Sequence, residues 1–306
     1  MEAVLAVNVL MSLPQALAVR VKPAFRGVLP TLLRLVRGAP FQTLSLVTTT
    51  LNGLMQYVVV AAGGAVMLYY GFLLFQLSKM VYPALTIIPL MYGSLLIVAN
   101  KERRALVDGA IILLFYTIPA AVMLKAPEVL LAVLRPQEVG NEELLVAMGL
   151  NALALLLYGM QLHAWNTLVG MEPRDILTLR EKPAKVLLLD LAFFPANALL
   201  TYTIVSKLSV IGWMIAVIIS LVYSLSIRVY YLPIRRQLLA SLYFPHFGAL
   251  ASVMLVPPLP LQQSSNVGMA LIIAITYAIY IAIPIGIILL VLSQLYRNLL
   301  LYLFKY

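Results

Sequence analysis

The chain contains no cysteine. That absence removes disulfides, thiolate nucleophiles, iron–sulfur clusters and cysteine-ligated zinc together. Charge is almost as scarce: Asp, Glu, Lys and Arg supply 10% of the 306 residues, where a soluble domain carries roughly 25%. Too few charges are present to clothe a surface in water. No Gly-rich phosphate loop ends in Gly-Lys-Ser/Thr and no His-Glu-x-x-His occurs, so neither a nucleotide-cradling loop nor a helical zinc-protease site is expected. Magnesium-dependent lipid transferases hold their metal with clustered carboxylates, and only isolated Asp108 and Asp190 fall inside apolar blocks. The longest polar stretches, Ala126–Glu143 and Met171–Lys185, are too short to build a catalytic domain. These absences point away from an enzyme.

What is present is apolar: 63% of residues are hydrophobic, and they arrive in blocks of roughly twenty, the length that crosses a hydrocarbon core. The reading is an all-α polytopic membrane protein of about eight spans: Gly53–Leu77, Tyr82–Ala99, Ala105–Leu124, Leu144–Gly170, Val186–Ser206, Leu208–Ile227, Leu238–Val256 and Val267–Tyr296. Alternate connections test the count, because short cytoplasmic loops collect Lys and Arg. Arg20–Pro40, Asn100–Arg104, Met171–Lys185, Arg228–Arg236 and the tail from Arg297 hold 17 of the 21 basic residues. The other connections hold only Lys79, Lys125, Arg135 and Lys207, and Glu128, Glu138, Glu142 and Glu143 make one of them acidic. The basic set is therefore expected in the cytoplasm of a cell-membrane protein, C-terminus included. The net charge of +10 then reads as topogenic charge and attraction to anionic inner-leaflet lipid, with no sequence-specific nucleic-acid binding.

The N-terminal region, residues 1–40, divides in two. Ala3–Val19 is an apolar segment too short for an easy crossing, either a ninth span or an interfacial helix. In Arg20–Arg37, Lys22, Arg26, Arg34 and Arg37 share one helical face against an apolar opposite face, an amphipathic helix for docking on lipid or on partner subunits. Residues 41–170 and 171–306 are expected as two four-helix units. Paired arginines at Arg103-Arg104 and Arg235-Arg236 and the in-helix Pro119 and Pro245 recur at similar offsets, the pattern of a parallel repeat.

Ionisable groups in a bilayer are expensive, which makes each a functional candidate. Asp108 lies about one turn inside the basic edge, within reach of a loop arginine. Asp190 and His163 fall at similar depths on neighbouring spans and are expected to pair as carboxylate and imidazole. His246 follows Pro245 near mid-membrane, where proline frees a carbonyl. Asn197 adds an amide beside Pro195 in Phe193-Phe194-Pro195-Ala196-Asn197. Two histidines at unequal depths are a poor haem ligand set, so no cofactor and no metal are expected.

Gly53–Gln76, with Gly63-Gly64 and Tyr69-Tyr70-Gly71, resembles the second helix of polytopic channel subunits of type IV secretion and archaeal DNA-import systems. The resemblance implies a translocation-channel subunit and assigns no residue a role. Two functions follow from the sequence. One is a permease or translocation-channel subunit, moving a solute or polymer by a gradient or a partner motor. The other is a membrane anchor or scaffold of a larger respiratory, secretion or DNA-import complex. A permease requires a polar cavity reached by Asp190, His163, Asn197 or His246; a scaffold requires a dry core. Few Asn and Gln residues beside absent cysteine suit a thermophilic host.

Overall fold

The computed structural model describes residues 28–71, 73–74, 101–172, 177–259 and 267–303, which are almost wholly helical and form no strand. We number the helices α1 (Val28–Gly63), α2 (Lys101–Lys125), α3 (Pro127–Leu134), α4 (Glu142–Met171), α5 (Lys182–Tyr231), α6 (Arg235–Leu255), α7 (Val267–Leu292) and α8 (Gln294–Leu303). Six of these, α1, α2, α4, α5, α6 and α7, are long and apolar enough to cross a membrane, so the chain is a multi-pass membrane protein in character.

The helix boundaries have local causes. Asn141 caps α4 by accepting the Leu144 N–H at 3.1 Å, and Glu142 and Glu143 in the first turn oppose the helix dipole favourably. Within α6, residues Leu239–Tyr243 widen into a π turn ahead of Pro245. Pro245 has no N–H to give the Ser241 carbonyl, and the Ser293 hydroxyl donates to that carbonyl instead at 2.5 Å. Ser293 itself occupies the break that separates α7 from α8, so Val267–Tyr296 is not the single span expected.

α5 spans 50 residues but is two antiparallel arms, α5a (182–208) and α5b (210–231). Ser209 reverses the chain with φ 52° and ψ −132°. Contacts between the arms are symmetric about it: Asn197 with Ser220, Phe193 stacked on Tyr223 at 3.7 Å, Asp190 with Arg228. The two arms coincide with the helices expected over Val186–Ser206 and Leu208–Ile227.

α2 and α4 approach closely because glycine and alanine lie between them. A Cβ at Gly159 would come 2.5 Å from the Tyr116 ring, and one at Gly109 would come 2.6 Å from His163 Nε2. The main core joins α2 and α4 to α6, α7 and the base of α5b, through residues such as Tyr116, Met160, Leu238, Tyr243 and Ile281. It therefore crosses the expected boundary between residues 170 and 171. α1 packs chiefly on α5, with Phe41 against Ala184 and Leu187 at one end and Val59 grouped with Val205 and Val210 at the other.

Two expectations for the first span need correction. It begins far ahead of Gly53: α1 runs unbroken from Val28, and the spanning segment is Val36–Gly63. It also ends at Gly64, whose φ of 82° stops the helix in the middle of the expected Gly53–Leu77 segment. Helix resumes at residues 66–71, where the Tyr69 hydroxyl donates to Glu138 and Tyr70 accepts from Asn141. The segment Gly53–Gln76 that carries the likeness to channel subunits is interrupted at this break. Residues 28–37 continue straight into α1, so Arg20–Arg37 is not a separate helix ending at Arg37. The expected segment Ala3–Val19 and span Tyr82–Ala99 lie outside the described residues.

Candidate functional site in the groove between α1, α4 and α5

Charge and packing place the helix ends at two levels. Lys101 Nζ donates to the Gly170 carbonyl at one level; Lys125 Nζ donates to Met254 at the other. Between the levels, α1, α4 and the α5 hairpin line a half-open cavity of about 770 Å³. Asn52 and Gln56 face it from α1, Gln161 from α4, Asp190, Asn197 and Thr201 from α5a, and Ser220 and Ser224 from α5b. The spacings of four and seven residues set these groups on single helical faces, so a polar ladder stands along an otherwise apolar wall.

At the foot of the ladder Asp190 meets Arg228. Arg228 Nη2 donates to Asp190 Oδ2 at 2.7 Å and Nη1 to Oδ1 at 3.3 Å, the parallel fork that suits carboxylate geometry. The side chains are only 8% and 11% exposed. Arg228 also donates to the Ser224 carbonyl at 2.9 Å and to the Ser224 hydroxyl, and lies 5.4 Å from the centre of the Trp165 ring. Gln161 Nε2 donates to the same Ser224 hydroxyl at 2.9 Å, tying α4 to the pair. Asp190 thus has an arginine partner, and the expected Asp190–His163 contact is not made. Arg228 was assigned from sequence to a cytoplasmic connection; it is a buried helical residue.

Two turns along α5a, Asn197 is 6% exposed and its Nδ2 donates to Ser220 Oγ at 3.3 Å. Its Oδ1 has no partner among the described residues, and neither has Arg228 Nε. A buried polar atom without a partner costs about 1–3 kcal/mol, so it marks a place where water or a ligand belongs.

The remaining candidates lie elsewhere. His163 is buried against α2 and α6, with Nε2 2.8 Å from the Ala105 carbonyl and Nδ1 3.0 Å from the Tyr243 hydroxyl. It borders a smaller cavity of about 340 Å³ that also touches Lys101, Arg104 and Asp108. Asp108 is partly exposed and lies 3.6 Å from Arg104 Nε, one turn earlier on α2 itself rather than in the loop expected from sequence. His246 is fully buried: Nδ1 is 2.6 Å from Thr117 Oγ1, and Nε2 is 2.5 Å from the Tyr296 hydroxyl, which also reaches the Ala110 carbonyl. Both nitrogens of each imidazole are thereby engaged.

Of the expected pathway residues, then, Asp190 and Asn197 share the groove, His163 and Asp108 share the smaller cavity, and His246 is a packing residue between α2, α6 and α8. Arg37 is exposed on α1; Lys22 and Arg26 lie outside the described residues, as does the side chain of Arg34. Arg228, Gln161, Asn52 and Gln56 went unread. A signal for Arg228 did exist, since Asp190 and Arg228 stand nineteen residues to either side of Ser209 and must meet once the hairpin closes. Searched against protein-family models, curated sequences and solved structures, the chain matches none.

Proposed function

We propose that the chain is a permease or translocation-channel subunit of the cell membrane whose path is the groove between α1, α4 and the α5 hairpin. The observation that carries this reading is the cavity itself: about 770 Å³, with amides, hydroxyls and a paired carboxylate facing inward from an apolar bundle. Non-helix-satisfying polar groups persist at membrane depth only where protein partners or an aqueous cavity satisfy them. In this reading there are eight crossings. They are α1, the span Tyr82–Ala99 expected from sequence, α2, α4, α5a, α5b, α6 and α7, with the ends rich in Lys and Arg and the C-terminus in the cytoplasm. With no nucleotide-binding loop of its own, the protein draws on an ion gradient or on a partner motor. Arg37 and the other basic residues at that end engage anionic lipid or neighbouring subunits.

Because the native chain has no cysteine, single cysteines report without background. In proteoliposomes, Gln56→Cys and Ser220→Cys react with a membrane-impermeant thiol reagent, while Ile279→Cys on the outer face of α7 does not. A groove sealed to the reagent from both sides would sink the pathway and favour the anchor or scaffold. Glu142→Cys and Arg235→Cys react from opposite faces; reaction from one face would overturn the topology.

A further inference from the structure

We infer that the groove binds an amphiphile whose head is uncharged and rich in hydroxyls, an inference that rests on the pathway reading and specifies its substrate class. Asp190 is the one acidic or basic side chain among the described groove residues, and Arg228 already neutralises it. A full charge seated against the buried Asn197 would lose its hydration and meet no free counter-charge. What the groove offers is neutral hydrogen bonding. Asn197 presents an amide with one end unfilled and nine-tenths of its surface buried. Turned either way about its last torsion, the amide leaves one group empty, a carbonyl or an NH2. A hydroxyl, donor and acceptor at once, satisfies both arrangements.

Asn52, Gln56 and Gln161 add further amides around the same space. Aromatic faces stand beside them: Phe193, stacked on Tyr223, and Trp213. Neutral amides with flat rings recognise a polyol head, the amides bonding its hydroxyls and the rings covering its C–H faces. Met55, Leu68, Val217 and Leu221 supply an apolar surface for a chain attached to that head.

The test uses the full chain in nanodiscs with Val217→Cys as the reporter, since Val217 lines the groove and leaves Asn197 intact. The rate of maleimide labelling is followed with decyl maltoside, decyl sulfate or decyltrimethylammonium, all at submicellar concentration. Decyl maltoside slows labelling and the two charged amphiphiles do not. Adding Asn197→Leu raises the decyl maltoside concentration needed for protection about tenfold, as loss of one buried hydrogen bond implies. Asn197→Asp, which adds an unpaired carboxylate, transfers protection to decyltrimethylammonium and serves where the leucine variant does not fold. Equal protection by all three amphiphiles, or protection unchanged in both Asn197 variants, overturns the substrate class while leaving the pathway standing. A Val217→Cys reporter that never reacts, with or without amphiphile, overturns the pathway and the substrate class together.

Discussion

At the scale of single residues, the energetics turn on groups that have left water and must find partners inside. Asp190 and Arg228 form a pair that is roughly nine-tenths buried, and each protects the other from an unpaired charge. Removing one member strands the other, which costs about 3–5 kcal/mol. Arg228→Met alone and Asp190→Asn alone should therefore each lower the thermal unfolding midpoint in detergent sharply. The double variant should recover most of the loss, and a double-mutant cycle showing simple additivity would disprove the coupling. Thr117→Val poses the milder version of the same question. It deprives His246 Nδ1 of its hydroxyl partner and should cost about 1–3 kcal/mol, measured on the same melts. Much of this was legible in sequence as a short roster of intramembrane polar residues, since apolar blocks make each exception conspicuous. Partnership was misread. Asp190 was matched to His163 by depth alone, and depth along a helix says nothing about the direction in which a side chain points. Arg228 was hidden for a related reason: an arginine one turn inside a span and an arginine in a loop are the same letter beside the same apolar run.

Helices and turns tell a different story about what a sequence reveals. The α5 hairpin was visible because Ser206-Lys207 interrupts the hydropathy, even though the backbone stays helical up to Ser209. The break at Gly64 was equally visible and was misread, because a glycine pair in an apolar run signals close helix packing as readily as a stop. Only the positive φ of Gly64 decides between them. The two turns make opposite predictions. Gly64→Ala forces a Cβ into a left-handed conformation at a site with open space around it, so the cost is backbone strain of roughly 1 kcal/mol with little added clash. Ser209 is a non-glycine residue at φ 52° and ψ −132°, the first central position of a II′-like reversal that favours glycine. Ser209→Gly should relieve strain and raise the unfolding midpoint by an amount corresponding to about 1 kcal/mol. A lower midpoint for Ser209→Gly would mean that the serine side chain contributes more than its backbone costs.

For the molecule as a whole, the decisive property is which surface faces lipid. α7 shows it most clearly. Ala270, Ile273, Tyr277, Ile281, Ile285 and Leu289 are buried, while Leu271, Ile275, Ile279, Ile283, Ile287 and Val291 are exposed, two stripes that each advance by four residues or close to it. In water the second stripe would be a large uncovered apolar patch. In a bilayer it is the ordinary exterior, and hydropathy alone located it while giving no hint of which stripe turns inward. The consequence can be tested against the groove. Ile279→Arg puts a cation against hydrocarbon near the middle of α7 and should cost about 2.5–3.5 kcal/mol of insertion free energy, read as loss of membrane-integrated protein. Gln56→Arg, on α1 and lining the cavity, should insert with far smaller loss, because its guanidinium can stay hydrated there and reach toward the end of the helix. If the two variants lost integration equally, Gln56 would face lipid as Ile279 does, and the wall of the proposed pathway would have to be drawn elsewhere.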